Sequence, residues 1–289
     1  MHTTDGLALE VEHYGPDDGR AIVFAHGFGQ TRHAWSATAA RLAERGYRCL
    51  TADGRGHGES AWLDGGDYTL DHFIDDARRL AASLHPQDRP EARPIWVGAS
   101  MGGLLGLLAE AESAGGLFDA LVLVDITPRW EAQGVARIME FMRAHLDGFA
   151  SVEDAQRAIQ AYLPHRSRDR SPERLNKLLV RMANGRLRWH WDPRLLGTIA
   201  EGSAAWGERM MAGAKQLRLP VLLVSGGRSD VVSDHTIAEF RELVPHAEHR
   251  RIDDATHMVV GDANDRFTHA ISTFIDGLAA RAPSPSGRS

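Results

Sequence analysis

A chain of 289 residues, 43% apolar and 25% charged, has the make-up of a folded globular protein of one large domain or two small ones. Thirty-three Lys and Arg against 39 Asp and Glu leave a net charge of −6, so there is no cationic footprint for nucleic acid or an anionic membrane. The single cysteine, Cys49, excludes an intramolecular disulfide and a zinc site built on several thiolates. The first residues carry no basic stretch followed by an apolar one, and no apolar run approaches the roughly 18 residues that span a bilayer. The expectation is a cytoplasmic protein with a small-molecule substrate and no nucleic-acid or membrane partner; its oligomeric state is left open.

Taken in chain order, Leu7–Tyr14 alternates as a half-exposed strand does, and Gly15-Pro16-Asp17-Asp18-Gly19 then turns the chain. Short apolar runs follow at Ala21–Ala25, Arg48–Ala52, Ile95–Val97, Leu121–Val124 and Val221–Val224, with a further strand near His249–Ile252. Helical patterns separate them at Ser36–Arg45, Leu70–Leu84, Met101–Glu112, His235–Leu243 and Asn264–Leu278. Strands alternating with helices imply βαβ units and a mostly parallel sheet covered on both faces. Ligands of such sheets bind beyond the carboxyl ends of the strands, which puts His26, Asp53, Ser100, Asp125 and Asp230 at the useful edge.

One interval breaks the rhythm. From Ile126 to Leu219 no convincing strand is read, only helical candidates near Gln133–His145, Val152–Tyr162, Pro172–Met182 and Ser203–Gln216. The expected organisation is a core of residues 1–127 and 217–280, a helical cap of residues 128–216 inserted over the sheet's carboxyl edge, and a disordered tail of residues 281–289. The cap holds Trp130, Trp189, Trp191 and Trp206, available for its own small core or for lining a pocket.

Gly98-Ala99-Ser100-Met101-Gly102 fits the G-x-S-x-G elbow in its required setting, after a strand and before a helix. The sharp turn lifts the Ser100 hydroxyl above the sheet at a helix N-terminus that favours negative charge. A serine hydroxyl needs a base, and the base an orienting acid, in the chain order Ser, acid, His. Asp230 follows the strand Val221–Val224, and His257 follows the last strand after an acidic turn, so Asp230 is the expected acid and His257 the base; Asp125 is the competing acid. The developing oxyanion calls for preorganised donors, for which the backbone N–H groups of Met101 and of Phe28, in His26-Gly27-Phe28-Gly29, are the candidates. His26 is read as bracing that loop. The segment Asp53-Gly54-Arg55-Gly56-His57-Gly58-Glu59-Ser60 lacks the ending of a phosphate-binding loop and is read as a tight turn beside the oxyanion loop. No metal site is indicated, and no cofactor is needed.

Together these residues resemble the α/β-hydrolase superfamily, most of all its capped esterase and epoxide-hydrolase-like branch. The resemblance runs over about residues 7–278 and implies a twisted, mostly parallel eight-stranded sheet with helices on both faces and an inserted helical cap. Epoxide hydrolases and haloalkane dehalogenases carry aspartate where this chain has Ser100, which argues against both. Family members often have glycine before the catalytic histidine, where this chain has Thr256, and many carbon–carbon hydrolases have tryptophan after it, where this chain has Met258. The expected function is a carboxylic ester hydrolase acting on a small ester or lactone through an acyl-enzyme. The alternatives on the same residues are a carbon–carbon bond hydrolase and a cofactor-free perhydrolase; a non-catalytic binder of a small signal is the alternative of another class. The pocket is expected to draw on Phe28, Trp35, Met101, Trp130, Trp189, Trp191 and Met258, with Arg129 at the hinge available to an acidic substrate group.

Overall fold

A computed structural model describes residues 1–84, 92–113, 116–164 and 175–281. The central sheet has seven strands among these residues: β1 (Val11–Tyr14), β2 (Ala21–Ala25), β3 (Arg48–Ala52), β4 (Ile95–Ala99), β5 (Ala120–Val124), then β8 (Val221–Gly226) and β9 (Glu248–Ile252), in the order β1-β3-β2-β4-β5-β8-β9. Only β1 runs antiparallel. The eighth strand implied by the resemblance is not among them. Residues 1–9 instead fold back on themselves, with an isolated bridge between His2 and Ala8 and the Leu9 N–H on Met1 O, so the alternating run at Leu7 yields a strand only from Val11.

The inner strands read as unbroken apolar runs because both of their faces are buried. Successive residues go to opposite sides. Ala21, Val23, Leu121, Leu123, Val221 and Leu223 join one core; Ile22, Phe24, Val122, Val124, Leu222 and Val224 join the other. The first core is closed by helices α2 (Leu70–Ala82) and α3 (Met101–Ala111), the second by α1 (Ser36–Ala43) and the C-terminal helix Asn264–Arg281.

Between β5 and β8 the chain leaves the sheet for α4 (Ala132–Arg143), α5 (Val152–Tyr162) and α6 (Leu195–Ala214). It also forms a two-stranded antiparallel ribbon, β6 (Leu179–Arg181) with β7 (Leu187–Trp189). The ribbon corrects the helix expected over Pro172–Met182, whose first residues lie outside the described ones. Its turn holds Gly185 at φ 82°, where a side chain would be strained. A separate cluster of Met139, Met142, Phe149, Leu175, Trp189 and Trp191 gives this segment a core of its own. The expected tail of residues 281–289 falls outside the described residues from position 282 onward. No described helix is long and apolar enough to cross a membrane.

Candidate active site

Ser100 occupies the corner between β4 and α3 with φ 47° and ψ −119°. The corner is tight enough that glycine is needed for space alone. A Cβ on Gly98 would lie 2.3 Å from Gly102 O, and one on Gly102 would lie 2.5 Å from Ala25 O. The Ser100 N–H donates to Val124 O at 3.0 Å, which ties the corner to the end of the neighbouring strand. The Ser100 hydroxyl makes no hydrogen bond among the described residues and lines a cavity of about 580 Å³.

His257 lies in the loop between β9 and the short helix Val259–Asp262. Its Nδ1 is 2.8 Å from Oδ2 of Asp125. That pairing leaves Nε2 on the opposite edge of the ring with no hydrogen-bond partner among the described residues. Asp125 is wholly buried at the end of β5. Its Oδ1 accepts from Gly226 N–H at 2.7 Å and its Oδ2 also accepts from the Ser229 hydroxyl at 2.5 Å. A buried carboxylate is tolerable only when its lone pairs are filled in this way.

Asp230, the acid expected from the chain order, does not meet His257. Its carboxylate pairs with Arg137 at 3.1 Å and its side chain is 38% exposed. The reason is α4. Gly134 sits so close to the Asp230 carbonyl that a Cβ would be 1.9 Å from it, and Arg137, one turn further along, meets the carboxylate. The competing candidate, Asp125, is the carboxylate that contacts the imidazole.

In the loop after β2, Gly27 N–H donates to Gln30 Oε1 and Gly29 N–H to His57 Nε2, whereas the N–H groups of Phe28 and Met101 have no partner among the described residues. Phe28 and Met101 both line the cavity with Ser100.

Three buried imidazoles hold this loop. His26 Nε2 accepts from Gly54 N–H at 2.9 Å and its Nδ1 donates to Gly27 O at 2.8 Å. His57 takes the Gly29 N–H at 3.2 Å and donates from Nδ1 to Arg55 O at 3.1 Å. His190, just past β7, takes the Gly58 N–H at 2.8 Å and donates from Nε2 to Gly29 O at 3.2 Å. Each ring is thus a neutral tautomer with both nitrogens spent on backbone, which leaves no lone pair for a metal. Burial pushes all three below the usual histidine range: His57 well below it and His190 down to about 4, with the neighbouring imidazoles adding to the shift in both. His26 does brace the loop, as expected, and the Asp53–Ser60 turn lies against it. Asp53 also accepts from Arg32 N–H and from Glu59 N–H. The parts played by His57 and His190 were not read from the sequence, where fifteen histidines offer no local mark of partner.

Of the expected pocket residues, Phe28, Met101 and Trp130 line the Ser100 cavity. Trp35 does not: it is buried on the other side of the sheet between Phe24 and Phe267, with ring centroids 5.2 and 5.8 Å away. Trp189 packs on Phe141 and Phe149 inside the inserted segment. Trp191 stands one layer back, 5.2 Å from the Phe28 ring. Arg129 pairs with Glu239 at 2.7 Å and does not line the Ser100 cavity. Met258 accepts a hydrogen bond at Sδ from Gln30 Nε2 at 3.3 Å and does not line the cavity. The walls come instead from Leu104, Ile126, Val135, Ile138, Met139 and Trp206, among others. Most belong to α4 and α6, whose inward faces no local motif identifies.

A mostly parallel sheet with helices on both faces, a serine at a strand-to-helix corner and an acid–histidine pair in contact beyond the ends of β5 and β9 define an α/β hydrolase. The chain belongs to the Hydrolase_4 family (serine aminopeptidase, S33), whose model matches residues 17–264. It is 27% identical over 258 residues to a 3-hydroxybutyrate-oligomer hydrolase of Cupriavidus necator, covering 84% of each chain. It is 28% identical over 234 residues to an esterase of Mycobacterium tuberculosis, covering 78% of this chain and 72% of that one. The solved structure of E-2-(acetamidomethylene)succinate hydrolase superposes with a TM-score of 0.80 at 23% identity, covering 93% of this chain and 96% of that one, and shares the fold.

Proposed function

We propose that the protein is a serine hydrolase that cleaves small carboxylic esters or lactones through Ser100, His257 and Asp125. The observation that carries this reading is the 2.8 Å contact of His257 Nδ1 with a buried, fully hydrogen-bonded Asp125, on the strand next to the one that ends at Ser100. The names of the two relatives, an esterase and an oligoester hydrolase, support the ester as the bond attacked.

In this reading His257 Nε2 takes the Ser100 proton as the oxygen attacks the carbonyl carbon. Asp125 keeps Nδ1 protonated and stabilises the imidazolium that forms. The negative oxygen of the tetrahedral intermediate is received by the N–H groups of Phe28 and Met101, each such donor being worth on the order of 3 kcal/mol of barrier. Its collapse breaks the bond to the alcohol, which leaves with the proton from His257. Water then attacks the acyl-Ser100 ester, gives its proton to the same nitrogen, and releases the acid and a restored serine. A mostly apolar cavity of about 580 Å³ has room for a small acyl group.

The test is turnover of nitrophenyl acetate and butyrate and of a simple lactone by the native protein and by Ser100→Ala. The proposal expects hydrolysis that falls by at least about a thousandfold in the variant. Equal rates in the two proteins refute it.

A further inference from the structure

A second cavity, of about 550 Å³, lies against the outer side of α6 and is lined by Pro128, Gly207, Met211 and Lys215 among others. Trp130 lines both this groove and the cavity of Ser100. Helix α6 divides in the same way: Trp206 faces the catalytic cavity and Gly207 the groove. We propose that the Trp130 indole is the partition between the two spaces, and that it sets the longest acyl chain the enzyme accepts. This rests on the ester-hydrolase reading above.

The main chain on either side of the indole is held. The Thr127 hydroxyl donates to Arg129 O at 2.6 Å, Arg129 is paired with Glu239, and Glu131 N–H donates to Val231 O at 2.9 Å. The indole itself has no hydrogen-bond partner among the described residues and is kept in place by apolar packing alone. A wall whose backbone is anchored and whose side chain is only packed can be removed without unseating the segment that carries it. Its removal joins the two spaces into one channel past Ser100, apolar on the inner side and lined on the outer side by Pro128, Met211 and Ala212 together with the charged Arg129, Glu208 and Lys215. The ligand this channel fits is an unbranched acyl chain, since each methylene taken out of water contributes roughly 0.8 kcal/mol.

The groove can also be refilled independently. A Cβ on Gly207 meets nothing within 4 Å, so an aromatic side chain there enters open space. The experiment compares native protein, Trp130→Ala and Trp130→Ala/Gly207→Phe on nitrophenyl butyrate, octanoate and dodecanoate. In parallel, binding of sodium octanoate and dodecanoate is measured by calorimetry on Ser100→Ala with the same changes added. The expected result is a rise of about tenfold or more in the octanoate-to-butyrate ratio of kcat/KM on opening the wall, the factor that about 1.4 kcal/mol gives. Dodecanoate binding strengthens in parallel, and both gains are lost when Phe fills the groove. An unchanged ratio and unchanged binding in Trp130→Ala overturn the proposal, as does a gain that survives in the double variant. The binding arm reads the partition even where no ester is turned over, so a failure of the hydrolase reading is seen separately.

Discussion

Ser100 and Asp125 are the two non-glycine residues among those described whose φ is positive, at 47° and 51°, and they stand at the ends of neighbouring parallel strands. A side chain held in this region costs on the order of 1–3 kcal/mol and persists only where its surroundings over-determine it. Here they do. Ser100 N–H is bound to Val124 O at 3.0 Å and Asp125 N–H to Val224 O at 2.7 Å, so each strand end fixes the next one's corner. The proposed nucleophile and the proposed acid are set by one register.

The two aspartates have different partners, His257 for Asp125 and Arg137 for Asp230, and the proposal expects them to respond differently to substitution. Asp125→Asn should lower kcat for a short ester by about ten-thousandfold, because the amide offers Nδ1 a donor as readily as an acceptor and the wrong tautomer results. Asp230→Asn, which loses only a surface pair with Arg137, should stay within about threefold. Steady-state kinetics on both, with thermal melting to show that each is folded, decides between them.

Gly102→Ala tests the corner itself. The added methyl would sit 2.5 Å from the Ala25 carbonyl oxygen, a backbone atom that cannot rotate away. Overpacking of this sort costs about 1–3 kcal/mol, and backbone contact places it at the upper end. Urea unfolding should show that loss, and esterase activity should fall with it as Ser100 shifts.

Acid should loosen the loop that carries Phe28. His190 is a base whose folded pKa, about 4, lies below its ordinary 6.5, so between these values the unfolded chain binds the proton first. Its contribution to stability is therefore present above pH 6.5 and is lost as the pH falls toward 4, in total roughly 3 kcal/mol. His26 and His57 act in the same direction. His190→Asn lacks this titration. The stability gap between native protein and variant, from urea unfolding, should narrow between pH 7 and pH 4; a constant gap contradicts the assignment.

Much of this was legible before any coordinates. Strands buried on both faces leave continuous apolar runs, and β2 and β3 begin and end where those runs do. Ser100 was legible because Gly98 and Gly102 are demanded by space on both sides of it. The acid was not. Asp125 and Asp230 both follow a strand, and what separates them is tertiary: Gly226 and Ser229 reach the first, Arg137 the second. The ribbon β6–β7 did carry a local signal that went unread: Asn184-Gly185 between Leu179-Val180-Arg181 and Leu187-Arg188-Trp189, a turn pair flanked by alternating residues. The tryptophans carried none, since an apolar ring reads the same whether it faces a core, as Trp35 does, or a cavity, as Trp130 does.

The central claim is that the Ser100 oxygen is the nucleophile, driven by His257 held on Asp125. A fluorophosphonate probe followed by peptide mass spectrometry tests it most directly. A single adduct is expected, on the peptide carrying Ser100, formed rapidly in native protein, much more slowly in Asp125→Asn, and at the native rate in Asp230→Asn. An adduct on another residue, or ester turnover in a protein whose Ser100 is never labelled, contradicts it.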